Sequence, residues 1–181
     1  MMARYGMLID TRTCVGCGAC RTACQSQNGL EANESFITYW IREHGTYPNA
    51  SVEFVPTQCM HCEDAPCAAV CPTGATFIGE GGIVEVDQGR CIGCKYCMAS
   101  CPYQARICNA ETGVVEKCRF CTISAERNGT PMCTCVEVCP TGSRVFGDLD
   151  DPSSELVRRI AETGAKPIAG DLTKAKIYYA R

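Results

Sequence analysis

Sixteen of the 18 cysteines in this 181-residue chain fall into four groups whose spacing suits metal–sulfur chemistry. The groups are Cys14, Cys17, Cys20 and Cys24; Cys59, Cys62, Cys67 and Cys71; Cys91, Cys94, Cys97 and Cys101; and Cys118, Cys121, Cys135 and Cys139. Each opens with Cys-x-x-Cys and closes with Cys-x-x-x-Cys. Three end in Cys-Pro, at Pro72, Pro102 and Pro140, whereas the first runs on into Gln25. The groups are therefore internal repeats. Cys108 and Cys133 are left over and are expected to act as small buried hydrophobes.

Three chemistries compete for these thiols. Disulfides need an oxidising compartment, and neither a signal-peptide-like apolar run nor a twin-arginine pair precedes Cys14. An all-cysteine zinc site takes two Cys-x-x-Cys pairs from separate loops, which leaves the third evenly spaced cysteine of groups one and three unexplained. The run C-x2-C-x2-C-x3-C-P is the bacterial ferredoxin signature. Three thiolates on one tight loop cap three irons of a cubane, and the fourth, past a short helical turn, ligates the other cluster of a pair. Proline then ends that turn. Gly16, Gly18 and Gly93 let the loop backbone approach the cluster. Four such groups predict four [4Fe–4S] clusters.

The order of the groups suggests a nested pairing. Groups two and three lie close together and read as one compact ferredoxin, which leaves groups one and four to each other. Cluster 1 then takes Cys14, Cys17, Cys20 and Cys139. Cluster 2 takes Cys24, Cys118, Cys121 and Cys135. Cluster 3 takes Cys59, Cys62, Cys67 and Cys101, and cluster 4 takes Cys71, Cys91, Cys94 and Cys97. Consecutive pairing, one with two and three with four, is the alternative. In "PMCTCVEVCP" the third ligand is Cys135 or Cys133; Cys135 is preferred because, like Cys67 and Cys97, it stands four positions before the closing cysteine. Sixteen thiolates cannot sit together without iron, so folding is expected to require the metal. Four clusters at about −2 each would take the formal charge from −3 to roughly −11, and N–H donors near the sulfurs must offset it.

The elements that position the groups are sparse. The fold class is α+β: tandem ferredoxin-like lobes of short strands and helices, with a C-terminal helix and arm. Residues 1–30 and 102–147 form a first lobe, 55–101 a second, 31–54 an insert, and 148–181 a C-terminal helix and docking arm. "YGMLID" and "SVEFV" read as strands and Thr76 to Asp87 as a hairpin about Glu-Gly-Gly. The helix "DDPSSELVRRIAETG" is expected to be capped by Asp151, with Pro152 at its first position and Gly164 at its end. The tail "KAKIYYA" reads as a strand or an extended arm. Aromatic residues make up only 7% of the chain, thin for a conventional core.

No other chemistry stands out. There is no nucleophile motif, no phosphate loop, no basic block for nucleic acid, and no run near the ~20 apolar residues of a membrane helix. His61 is expected to be a hydrogen-bond donor beside Cys62 or an inert surface residue, His44 a turn residue, and Trp40 a packing residue.

The stretches "DTRTCVGCGACRTAC", "GTYPN", "CMHCEDAPCAAVCPTGA", "CIGCKYCMASCPYQAR", "KCRFC" and "FGDLDDPSS" resemble the iron–sulfur subunits of the dimethyl sulfoxide reductase superfamily of molybdopterin oxidoreductases. They are most similar to those of polysulfide, thiosulfate, tetrathionate and arsenate reductases, over nearly the whole chain. The resemblance implies an electron-transfer subunit with no substrate site of its own. Its partners would be a large catalytic subunit holding a molybdenum or tungsten bis-pterin and, commonly, a quinone-reactive membrane subunit. Cluster 1 would face the pterin subunit and cluster 4 the membrane subunit. A cysteine at Cys94, where some relatives have Trp, implies a full cubane. The chain would be peripheral in a membrane-associated complex, exported with its catalytic subunit or cytoplasmic. Gln25, in place of a more usual Lys, and the Cys133–Thr134 extension depart from the pattern. The competing readings are a freestanding polyferredoxin carrier, for example for a hydrogenase, and a structural cysteine–metal protein.

Overall fold

The computed structural model describes residues 3–122 and 132–181. Residues 1–2 and 123–131, both within the expected first lobe, lie outside the described residues. The cysteine loops gather on one side of a sheet built from the two ends of the chain. Strand β1 (Tyr5–Asp10) lies between β8 (Arg144–Asp148), antiparallel to it, and β10 (Ile177–Ala180), parallel to it; β9 (Lys166–Pro167) closes the order β8-β1-β10-β9. Alternation along these strands sorts their side chains. Met7, Ile9, Ile177 and Tyr179 point into the core that contains the cysteines, whereas Leu8, Val145 and Ala180 pack on the other face with Leu156.

Leu156 belongs to helix α5 (Glu155–Thr163). The helix ends at Gly164, left-handed at φ 62, as a C-terminal glycine does. Its start differs from expectation: Ser154, not Asp151, stands at the N-cap. Asp151 instead accepts hydrogen bonds from the Ser153 backbone N–H and hydroxyl at 2.8 and 2.7 Å. That turn holds Pro152 out of the helix, because short polar side chains compete for the backbone just ahead of a helix start. The tail takes the first of its two expected forms: β10 is an internal strand of the sheet.

The described residues also form three two-stranded ribbons. Strands β2 (Thr38–His44) and β3 (Ser51–Thr57) form a long antiparallel hairpin. Strands β4 (Thr76–Ile78) and β5 (Val84–Val86) form the hairpin about Glu80–Gly82. Strands β6 (Ile107–Cys108) and β7 (Val115–Glu116) form the third. The hairpin of the insert carries His44 at the end of β2, paired with Ser51, rather than in a turn. Trp40 is not core packing; it is 41% exposed, with the Arg42 guanidinium 5.7 Å from its ring. The hairpin also packs inward, placing Tyr39 2.9 Å from the Cys20 sulfur and the Phe54 ring against Gly16.

Candidate iron–sulfur sites

The four cysteine groups share one local architecture. In each Cys-x-x-Cys loop the residue before the second cysteine is left-handed: Gly16 (φ 66), His61 (φ 46), Gly93 (φ 65) and Phe120 (φ 51). A Cβ on Gly16 would stand 2.6 Å from the Phe54 ring, and one on Gly93 2.6 Å from the Gly113 carbonyl oxygen. Each third cysteine is then the second residue of a helix: Cys20 in α1 (Ala19–Asn28), Cys67 in α2 (Pro66–Ala69), Cys97 in α3 (Tyr96–Ala99) and Cys135 in α4 (Thr134–Glu137). Cys133 is the N-cap of α4, one step outside that place. Groups one and three enter their helices through left-handed N-caps, Gly18 and Lys95; groups two and four enter through extended ones, Ala65 and Cys133.

The closing cysteines share a turn as well. After Cys71, Cys101 and Cys139 the N–H of the third following residue (Gly74, Gln104, Gly142) donates back to the cysteine carbonyl, at 3.2 Å in each case. All three donors have positive φ. Proline at the intervening position supplies the fixed φ that starts the turn.

Spatial grouping crosses the sequence groups. Cys101 lines one cavity with Cys59, Cys62 and Cys67, and Cys71 lines another with Cys91, Cys94 and Cys97. Cys14 lies among Cys20 and Cys139, and Cys24 among Cys121 and Cys135. Cys118 faces Cys135, Cys24 and Cys59. Cys17, on the Cys14 loop, and Cys94 are the exposed cysteines among the described residues. The sets adjoin in series: Cys20 is next to Cys24, Cys118 next to Cys59, and Arg106 lies between Cys67 and Cys97. No described group of three or more Cys, His, Asp or Glu side chains closes round a single ion.

Burial and the neighbouring thiols push Cys24 up to about 12, burial raises Cys62 to about 11, and burial with Cys135 and Cys24 drives Cys118 well above its usual value. Such thiols become ligands only by giving their protons up to metal. The adjoining Cys133 thiol holds Cys121 near 6 and Cys135 near 7. Cys71 stays near 7 despite burial, because the N–H groups of Thr76, Thr73 and Ala75 and the Thr73 hydroxyl stabilise its thiolate.

Buried cations surround these sulfurs. Arg106, Lys117, Arg144 and Lys176 are each at most 6% exposed. Gln58, also buried, donates to Met7 Sδ and Cys118 Sγ while accepting from Arg144 Nη1 at 2.7 Å. Among the described residues, the unpartnered buried side-chain nitrogens are Arg106 Nη2, Arg144 Nη2 and His61 Nε2. A donor set of thiols in a shell of buried N–H groups fits an anionic iron–sulfur cluster. His61 is no surface residue. It is fully buried, accepts from Val84 N–H at Nδ1 (3.2 Å), and burial holds it neutral, well below its usual pKa. Gln25 donates its amide to the carbonyls of Ala32 and Glu34, pinning the loop after α1. Cys133 is buried, its thiol directed to the Phe120 carbonyl. Cys108, expected to be buried, is only partly so, with its thiol on the Gly113 carbonyl.

Fold and site define a ferredoxin-type iron–sulfur protein. Models of the 4Fe-4S dicluster domain match residues 50–149 and residues 13–75. The B subunit of the polysulfide reductase of Wolinella succinogenes is 37% identical over 181 residues, spanning 98% of this chain and 94% of the relative. The thiosulfate reductase electron transfer subunit PhsB of Salmonella typhi is 44% identical, over 88% of this chain and 82% of its own. A protein NrfC homolog of Haemophilus influenzae is 42% identical, over 91% and 72%. The chain belongs to this 4Fe–4S dicluster family of reductase iron–sulfur subunits. It carries [4Fe–4S] clusters and transfers electrons.

Proposed function

We propose that the chain holds four [4Fe–4S] clusters in series and conducts electrons between a molybdopterin catalytic subunit and a quinone-reactive membrane subunit or other redox partner. The observation that carries this reading is the order of the cysteine sets: they adjoin one to the next, and the exposed cysteines, Cys17 and Cys94, belong to the first and last. Exposed apolar residues flank both, Val15 beside Cys17 and Ile92 and Tyr96 beside Cys94. Exposed apolar surface beside a redox centre suits contact with a partner.

The ligand sets are Cys14, Cys17, Cys20 and Cys139; Cys24, Cys118, Cys121 and Cys135; Cys59, Cys62, Cys67 and Cys101; and Cys71, Cys91, Cys94 and Cys97. The shared place of Cys20, Cys67, Cys97 and Cys135 in their helices favours Cys135 over Cys133. Each set would hold a cluster that supplies one-electron redox chemistry. The protein's own part is to fix the sulfurs, exclude water from the inner sets, and aim N–H groups at them. The two lobes follow from the crossed sets: residues 1–30 with 102–147, and 55–101.

A catalytic partner is supported by relatives named for polysulfide, thiosulfate, dimethyl sulfoxide and tetrathionate reductases. No described helix is long and apolar enough to cross a membrane, so in such a complex another subunit would hold this one there. Native purification tests the reading. About sixteen irons per chain, EPR signals on reduction and a co-purifying molybdenum or tungsten subunit are expected. Zinc without visible absorbance, or iron without such a partner, would overturn it.

A further inference from the structure

Arg106 and Arg144 hold the same place in the repeat. Each stands five residues beyond a Cys-Pro cysteine, Cys101 and Cys139 respectively, after the same left-handed turn. The third copy of that place, after Cys71, is Thr76, and Arg106 Nη1 donates to its hydroxyl at 3.4 Å. The two arginines are 6% and 3% exposed. Neither has a carboxylate partner among the contacts described, and in each the Nη2 nitrogen has no partner at all. A buried charge left so is costly unless something anionic meets it.

What meets it is sulfur. Arg106 lines the cavity of Cys59, Cys62, Cys67 and Cys101, and its guanidinium faces the thiols of Cys67, Cys97 and Cys59. Arg144 Nη1 lies 3.8 Å from Cys135 Sγ, and the guanidinium faces Cys14, Cys20 and Cys24. Each guanidinium thus spans two adjoining cysteine sets. Arginine cannot be deprotonated in a protein, so the charge is permanent, and burial leaves it weakly screened.

We propose that Arg106 and Arg144 are shared positioning residues, each donating Nη2–H to sulfur at two neighbouring clusters and raising the reduction potential of both. The proposal rests on the four-cluster reading above. A fixed positive charge reached from either side favours the reduced form of both, so each arginine shifts the potentials of the pair it joins together. Arg106 serves the Cys59 and Cys91 sets, and Arg144 the Cys14 and Cys118 sets.

The test is an EPR-monitored redox titration of the iron-loaded full chain as wild type, Arg106→Gln, Arg106→Lys and Arg144→Gln, with iron per chain measured first. Arg106→Gln should lower the midpoints of two cluster signals and leave two in place; Arg144→Gln should lower the complementary two. The expected change is tenfold or more in the reduced-to-oxidised ratio at fixed potential, about 59 mV for a one-electron couple. Arg106→Lys, which keeps the charge, should restore most of the shift. Unchanged midpoints, a shift at one cluster alone, or an equal shift at all four would overturn the proposal. Fewer than about sixteen irons in the wild type would overturn the four-cluster reading itself. If a glutamine variant loses iron, pulsed EPR of the wild type labelled with 15N-arginine decides. Guanidinium nitrogen coupling to reduced clusters is expected, and its absence contradicts the assignment.

Discussion

The rings of His61 and Phe120 stack with centroids 3.8 Å apart and planes 21° from parallel. Each is the residue before the second cysteine of its loop, and each occupies the left-handed conformation that glycine takes in the other two loops. A side chain there costs about 1 kcal/mol or more of backbone strain. The stack recovers some of it by closing the group-two loop on the group-four loop, with Phe146 tilted against Phe120 at 5.1 Å. The junction where Cys118 faces Cys59 is built on this contact.

Phe120→Ala therefore removes a fully buried ring from both His61 and Phe146. We expect a loss of about 3–5 kcal/mol, measured as a lower urea midpoint for bleaching of the visible absorbance. An unchanged midpoint would mean that the two loops are held together by something else.

Gly93→Ala should be far more damaging than Gly18→Ala. Both glycines have positive φ, but a Cβ at Gly93 meets the Gly113 carbonyl oxygen at 2.6 Å, whereas one at Gly18 meets nothing within 4 Å. The expected gap is about 1–3 kcal/mol. Thermal bleaching of the two variants, side by side, gives it directly.

Cys135→Ala should remove about a quarter of the iron, and Cys133→Ala and Cys108→Ala none. Cys133→Ala still empties a buried site and should cost about 1 kcal/mol in denaturant. Iron and sulfide assays on the three variants separate the roles. Loss of iron from Cys133→Ala alone would exchange the assignments of Cys133 and Cys135.

Asp10 carries an acid-sensitive contribution. Hydrogen bonding from the Arg12 side chain lowers its pKa, overcoming burial, with Arg12 Nη2 at 2.8 Å from Oδ2. A carboxylate lowered in the folded state contributes stability that is full above its unfolded pKa, about 3.9, and is lost as pH falls through the folded value. Asp10→Asn should lower stability near pH 7 by about 1 kcal/mol, since Arg12 is half exposed. The difference from wild type should shrink below about pH 4. Urea midpoints between pH 3.5 and 7 check both the sign and the window.

The repeat that forms the candidate site was legible because its signals are local: the cysteine spacing, Cys-Pro and glycine punctuation are each written within a few residues. The hairpin Thr76 to Asp87 and the strand at Tyr5 were legible for the same reason. Strand β2 was not, because its exposure pattern follows no period of two, and its pairing with β3 alone makes it a strand. The left-handed places of His61 and Phe120 were hidden because glycine, the usual signal, is absent there. Arg106 and Arg144 can be found by aligning the repeats, but only packing reveals that both are buried against sulfur. The N-terminus of α5 was misplaced because Asp151 and Pro152 suit a turn as well as a cap.

The proposed crossed ligand sets are tested most directly by Cys101→Ala. Reduced EPR spectra would be compared with those of Cys62→Ala, which marks the Cys59 set, and Cys94→Ala, which marks the Cys91 set. Cys101→Ala should lose or convert the signal that Cys62→Ala affects and leave the signal marked by Cys94→Ala in place. Loss of the Cys94-marked signal with the other intact would contradict the crossed arrangement.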